Sequence, residues 1–217
     1  MAQINTVIFD VDGTLIDTFQ NCIIFHKAYH IFFPERQVPL EVFQRAHSLS
    51  HKKSMEAVGI LPEEHDEFWE FYIRYYREHA PKYPLFDGIE SLVERLDEKG
   101  YTLGVNTARG YEALLDSWTL YQEEIFFRFN WEYCVHNELA KNPKPAPDPL
   151  ELLCEKQDLS VENLVFIGDS HLDYYCAKSA NVLFCWASWG WHFDSPLHKD
   201  GIVLTHPHDL LKVLEER

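Results

Sequence analysis

Two aspartates, Asp10 and Asp12, flank Val11 in the run Val-Ile-Phe-Asp-Val-Asp-Gly-Thr-Leu-Ile-Asp-Thr. Carboxylates this close repel each other, so the pair makes chemical sense where a cation offsets the repulsion and the two groups do different work. Asp-x-Asp-Gly also opens calcium-binding loops, but Thr14 to Phe19 offer ligands at the wrong spacing and no Glu stands at the twelfth position. Other residues able to do chemistry follow apolar runs in the same way. Thr107 closes Leu-Gly-Val-Asn-Thr, Lys144 opens Lys-Pro-Ala-Pro-Asp-Pro, and Asp169 and Asp173 lie in Ile-Gly-Asp-Ser-His-Leu-Asp. If Ser170 opens a helix, the spacing of Asp169 and Asp173 turns both carboxylates toward one pocket.

The elements that must position these residues read as buried strands: Thr6 to Asp10, Thr102 to Asn106, Glu132 to His136, Leu164 to Ile167 and Val182 to Trp186. Helical patterns alternate with them at Ile89 to Lys99, Tyr111 to Leu120, Asp148 to Lys156, Leu172 to Ala180 and His208 to Glu215. Strands alternating with helices predict an α/β fold, a Rossmann-like parallel sheet covered on both faces. Ligands of such sheets bind beyond the carboxyl ends of the strands, where these side chains fall. Between the first strand and the helix near Gly88 lie roughly 70 residues without a strand, far beyond the usual loop of about 4 to 6. Helical spacing over Phe19 to Phe33, Leu40 to Ala46, Lys53 to Val58 and Glu63 to Ala80 predicts an inserted α-helical domain with an aromatic core. The division expected is residues 1–17 and 87–217 for the core and 18–86 for the insert.

The run from Val7 to Asp12 resembles the signature of the haloacid dehalogenase-like hydrolase superfamily. Thr107, Lys144 and Asp169 with Asp173 match its three further motifs in the same order. The resemblance spans Val7 to Asp173 and points to the phosphoglycolate-phosphatase-like subgroup with a helical cap. It implies that Asp10 attacks phosphorus to form an aspartyl-phosphate and that Asp12 serves as acid and then base. Dehalogenases of the superfamily lack the second aspartate, since a halide needs no proton, so Asp12 places the chain among phosphatases or phosphomutases. Thr107, the N–H of Ala108 and Lys144 would hold the phosphoryl oxygens. Asp10, Asp169, the backbone carbonyl of Asp12 and, as an occasional ligand, Asp173 would hold Mg²⁺. The insert's loop, with Arg45, His47, His51 and Lys52, would meet the rest of a small phosphorylated metabolite. This loop lacks the glycine often found there in the family. A sugar phosphomutase and a phosphonate hydrolase, the latter using Lys52 or Lys53 for a Schiff base, are the alternatives. A non-catalytic binding module is opposed by the presence of all four motifs.

Composition narrows the partners. Of 217 residues, 46% are apolar and 25% charged, which suits a globular chain with a sizeable core. The net charge of -16 repels nucleic acid and anionic lipid. The insert, with 8 basic and 9 acidic residues, carries little of it. No apolar run approaches the length of a membrane span and no secretory signal is evident. Cysteines at 22, 134, 154, 176 and 185, odd in number and without C-x-x-C spacing, favour a reducing cytoplasm over a disulfide framework or zinc site.

Smaller expectations follow. Asp17 or Thr18 should cap the first insert helix, and Asn181 should take a left-handed cap. Arg109 is expected either to reach a substrate anion or to start a helix. His171 and the scattered His192, His198, His206 and His208 should not form a metal cluster. Trp186, Trp189 and Trp191 should pack in the core.

Overall fold

The structure is a computed structural model and describes residues 3–47, 49, 51–191 and 201–217. Strand β1 (Thr6–Phe9) is followed by four helices, α1 (Asn21–Phe32), α2 (Leu40–Ala46), α3 (His51–Ala57) and α4 (His65–His79). Then come α5 (Ile89–Glu98), β2 (Thr102–Asn106), α6 (Tyr111–Leu120), β3 (Cys134–Val135), α7 (Asp148–Gln157), β4 (Leu164–Gly168), α8 (His171–Ser179), β5 (Leu183–Ala187), β6 (Ile202–Leu204) and α9 (Asp209–Glu215).

All six strands lie parallel in the order β3-β2-β1-β4-β5-β6. Val7, Ile8 and Phe9 are fully buried, as expected of a central strand covered on both faces. β1 pairs Thr6 with Thr102 of β2 on one side and with Leu164 of β4 on the other. The chain builds outward from β1 in one direction through β2 and β3, and in the other through β4, β5 and β6. The crevice where the two directions part therefore opens at the ends of β1 and β4, next to Asp10 and Asp169. Leu150 and Leu153 of α7 and Tyr174 and Ala177 of α8 pack with Phe166, Phe184 and Trp186 of the sheet. Asn181 takes the left-handed conformation at φ 56° after α8, as its side chain permits.

Two details depart from the sequence expectation. The strand expected over Glu132 to His136 contracts to Cys134–Val135, because Trp131–Tyr133 winds into a turn of 3₁₀-helix whose N-cap Asn130 accepts from Glu132 N–H. A sixth strand, Ile202–Leu204, adds to the edge. Its three residues are too short for a periodicity to register.

The chain divides into two compact units, residues 1–17 with 84–217, and residues 18–83. The described residues of the second unit form helices and their connections. Phe43 lies at its centre, ringed by Phe25, His26 and Tyr29 at centroid distances of 5.0 to 5.4 Å in edge-on geometry. Arg36 forms a two-pronged pair with Glu64, which also accepts from the backbone N–H of Leu61. Neither Asp17 nor Thr18 caps α1. The N-cap is Gln20, which makes no side-chain capping bond, while Asp17 accepts from the Trp191 indole at 3.1 Å.

Candidate active site

Asp10 leaves the sheet immediately after β1, its backbone N–H still bound to the carbonyl of Ile167 at 2.8 Å. That bond fixes its side chain at the crevice between β1 and β4. Lys144 arrives from the loop before α7 and donates to Asp10 Oδ1 at 2.9 Å, to Asp173 Oδ1 at 2.6 Å and to the carbonyl of Asn106 at 3.0 Å. Three acceptors satisfy an ammonium completely, so a buried lysine is tolerated here. Burial works against its charged form, but Asp10 and Asp173 outweigh that effect and hold the pKa of Lys144 above its ordinary value.

Asp173 stands in the first turn of α8, where its Oδ2 accepts from the N–H and hydroxyl of Ser170 while the Ser170 hydroxyl accepts from the N–H of Asp173. This reciprocal cap starts the helix and aims the other oxygen of Asp173 at Lys144. Asp169 precedes the same helix and accepts from the backbone N–H of Trp191 at 3.1 Å. Carboxylate oxygens of Asp10, Asp169 and Asp173 lie within 4.8 Å of one another, all buried. Burial, then the charge of Asp173, pushes Asp10 up to about 7 against the pull of Lys144. Burial, then the charges of Asp173 and Asp10, raises Asp169 well above the usual carboxylate range.

Three buried acids facing one lysine leave the site short of positive charge. The donors are all carboxylate oxygens, which suits a hard divalent cation such as Mg²⁺. The backbone makes room for that set of acids: a Cβ on Gly13 or on Gly190 would run into the Asp169 carboxylate, and one on Gly168 would come within 2.6 Å of Asp173. Gly13 also adopts φ 80°, which side-chain-bearing residues avoid.

Thr107 follows β2, buried, with its N–H on the carbonyl of Val135 at 2.9 Å, and Ala108 is exposed at the turn beyond it. The Thr107 hydroxyl accepts from the N–H of Arg109 at 3.2 Å. Asp12 turns to Arg109, whose Nε donates to Asp12 Oδ2 at 2.8 Å and whose Nη2 donates to Asp12 Oδ1 at 2.7 Å. Arg109 is not the exposed helix start expected as one of its two uses, since α6 begins at Tyr111 and the Arg109 side chain is only 14% exposed. Its partner is the second aspartate.

The insert residues singled out from the sequence all lie within the 18–83 unit. Arg45 on α2 and Lys52 on α3 are exposed, and so is Lys53. His47 packs edge-on against Phe19 at 5.9 Å, and His51 stacks on Trp69 at 4.6 Å. Burial, then Lys52, lowers the pKa of His51. The desolvation that a Schiff-base lysine needs is absent at Lys52 and Lys53 alike. Among the described residues, the acidic triad is the one group of ligand-type side chains close enough to share an ion, and no histidine belongs to it. His206 and His208 have rings 5.3 Å apart, with His208 tied to Ser91; His192 and His198 lie outside the described residues.

Sequence reasoning missed the role of the tryptophans. Trp186 is core, as expected. Trp189 instead donates from its indole to the carbonyl of Thr14, and Trp191 joins Asp169 to Asp17 through its backbone and indole N–H groups. The single available signal was Gly190 between two tryptophans, a small residue where a backbone passes close to a carboxylate.

Residues 7–187 match the model of the haloacid dehalogenase-like hydrolase family. The chain is 27% identical over 223 residues to the pyrophosphatase PpaX of Listeria monocytogenes, covering 99% of this chain and 98% of that protein. A Lactobacillus plantarum crystal structure assigned as a phosphoglycolate phosphatase superposes with a TM-score of 0.83 at 25% identity, covering 97% of this chain and 99% of that one. A haloacid dehalogenase-like hydrolase of Streptococcus pneumoniae shares the fold at a TM-score of 0.80 and 22% identity, with coverages of 97% and 98%. With the family model matched over most of its length, the chain belongs to the haloacid dehalogenase-like hydrolase family, as an enzyme of its phosphatase branch.

Proposed function

We propose that this protein is a Mg²⁺-dependent phosphatase that hydrolyses a small phosphate monoester through an aspartyl-phosphate on Asp10. The observation that carries this reading is the buried network in which Lys144 joins Asp10 to Asp173 beside Asp169. Asp10 is held at the crevice with its carboxylate anchored, as an in-line nucleophile requires. Lys144, the Thr107 hydroxyl and the N–H of Ala108 hold the equatorial phosphoryl oxygens, where charge accumulates. Asp12 protonates the departing alkoxide and later takes a proton from the water that cleaves the acyl-phosphate. Asp10, Asp169, the carbonyl of Asp12 and Asp173 would hold Mg²⁺. When bound, the ion neutralises the crowded carboxylates and polarises the phosphoryl group.

Residues 18–83 serve as a cap carrying the residues that select substrate, with Arg45, His47, His51 and Lys52 as the candidates. The relatives named pyrophosphatase and phosphoglycolate phosphatase support hydrolysis over the mutase alternative. No helix of the described residues is long and apolar enough to cross a membrane. Together with five free cysteines, this supports a cytoplasmic site of action on a metabolite.

The reading is tested by phosphate release from a panel of phosphorylated metabolites with and without Mg²⁺. Activity should vanish on chelation with EDTA and return when Mg²⁺ is added in excess. Full turnover after exhaustive chelation overturns the metal assignment.

A further inference from the structure

Asp12 must bring an oxygen to the leaving group, yet both of its oxygens accept from the fork of Arg109, at 2.8 and 2.7 Å. A carboxylate gripped in this way has the forward-facing lone pair of each oxygen committed to the guanidinium, so presenting that face to a leaving group requires it to turn out of the fork. The fork itself is fixed from behind. Its remaining nitrogen, Nη1, donates to the Ser117 hydroxyl and, at 3.5 Å, to the carbonyl of Ala113, both on α6. The backbone of Arg109 is held as well, by its N–H to Thr107 Oγ1 and by its carbonyl from the N–H of Asn137. The Arg109 side chain is 14% exposed and that of Asp12 is 32% exposed, so the carboxylate is the partner with room to move. When it turns away, two guanidinium N–H groups lose their acceptors, which is costly for a charged and largely covered group.

Whatever substituent is carried by the leaving oxygen comes up against Asp12, and therefore against the fork beside it. A second anionic group near the ester oxygen, carboxylate or phosphate, has the bidentate shape that would replace Asp12 there. We propose that Arg109 is a substrate-binding residue working by exchange, holding Asp12 until a leaving group with its own anionic substituent takes the fork and releases Asp12 to the ester oxygen. The preferred substrates are thus small phosphates with a second anion one or two bonds from the bridging oxygen. This rests on the phosphatase reading and extends it to a substrate class.

The test compares kcat/KM for 2-phosphoglycolate and inorganic pyrophosphate, the carboxylate and phosphate arms, against ethyl phosphate, whose leaving group is neutral, with p-nitrophenyl phosphate as a general substrate. The wild-type protein should prefer at least one anionic arm over ethyl phosphate by about tenfold or more. Arg109→Gln should bring that ratio close to one. Arg109→Lys, which keeps the charge but loses the fork, should retain only part of it. Ser117→Ala, which loosens the fork from behind, gives a second test through a smaller fall in the same ratio. A wild-type preference that persists in Arg109→Gln, or no preference at all in an active wild type, overturns the exchange. Absence of phosphate release from all four compounds overturns the phosphatase reading and the exchange together.

Discussion

Asp10 and Asp12 sit two residues apart and have opposite surroundings, which is what the separate tasks proposed for them require. Asp10 is buried on an ammonium, whereas Asp12 faces outward onto a guanidinium. Asp10→Asn keeps the shape but loses the nucleophile, so turnover should fall below about a thousandth while the protein remains folded. More than a few per cent activity, in a sample checked for deamidation, would refute the nucleophile. Asp12→Asn should hurt ethyl phosphate far more than p-nitrophenyl phosphate, because a good leaving group needs little help from an acid. Equal losses would count against Asp12 as the acid. The crowding at Asp10 also has a thermodynamic consequence. Burial, then the charge of Asp173, raises its pKa from an ordinary 3.8 to about 7, so below that pH the folded protein without metal favours the protonated form. Metal-free stability should then be greatest at low pH as far as this group is concerned, and decline as pH rises through about 7. Asp169→Asn removes one of the repelling acids and should raise the metal-free melting temperature at pH 8 by about 2 to 4 °C. A lower melting temperature for that variant, measured after chelation, would show that the acids are not in conflict in the resting site.

At the scale of elements, what was legible in the sequence was local. Strands such as Thr6–Phe9 announce themselves by an unbroken apolar run, and their ends place Asp10, Thr107 and Asp169 at the carboxyl end of a parallel sheet without knowledge of any contact. The pairing of Arg109 with Asp12 joins residues 97 apart in the chain, and that of Trp191 with Asp169 joins residues 22 apart. No periodicity records such pairs, because they depend on how two loops meet above the sheet. The turn at residues 188–191, just after β5, shows what is at stake. Gly190 lies so close to Asp169 that a methyl group would strike it, while the N–H of the next residue fixes the same carboxylate. Gly190→Ala should push Asp169 out of line and weaken Mg²⁺ activation by about 10- to 100-fold, the usual cost of disturbing the groups that orient a ligand. The far-UV circular dichroism should be retained, since the loop lies outside the sheet. An unchanged Mg²⁺ half-saturation would mean that the loop does not position the acid.

Across the whole molecule, the motifs and the helical unit divide the work of recognition. In the function proposed, Asp10, Thr107 and Lys144 read only the phosphoryl group, which every candidate substrate shares, so discrimination has to come from groups that meet the other end. Arg109 supplies one such group from the core, and the 18–83 unit carries the others expected from the sequence. The structure shows which of these are clean to test. His47 and His51 are packed on Phe19 and Trp69, so truncating either removes ring contacts along with any contact to a substrate. Arg45 and Lys52 are exposed, and replacing them leaves the aromatic core of the unit intact. Surface truncations of this kind usually change stability by less than about 0.5 kcal/mol. Arg45→Ala and Lys52→Ala should therefore alter the order of preference among phosphorylated metabolites, with anionic substrates losing about threefold to tenfold relative to neutral ones as a positive charge is withdrawn. The measurement is kcat/KM across the panel for each variant, together with its melting temperature. If every substrate falls in the same proportion at an unchanged melting temperature, these side chains do not discriminate, and selection rests with the core and Arg109.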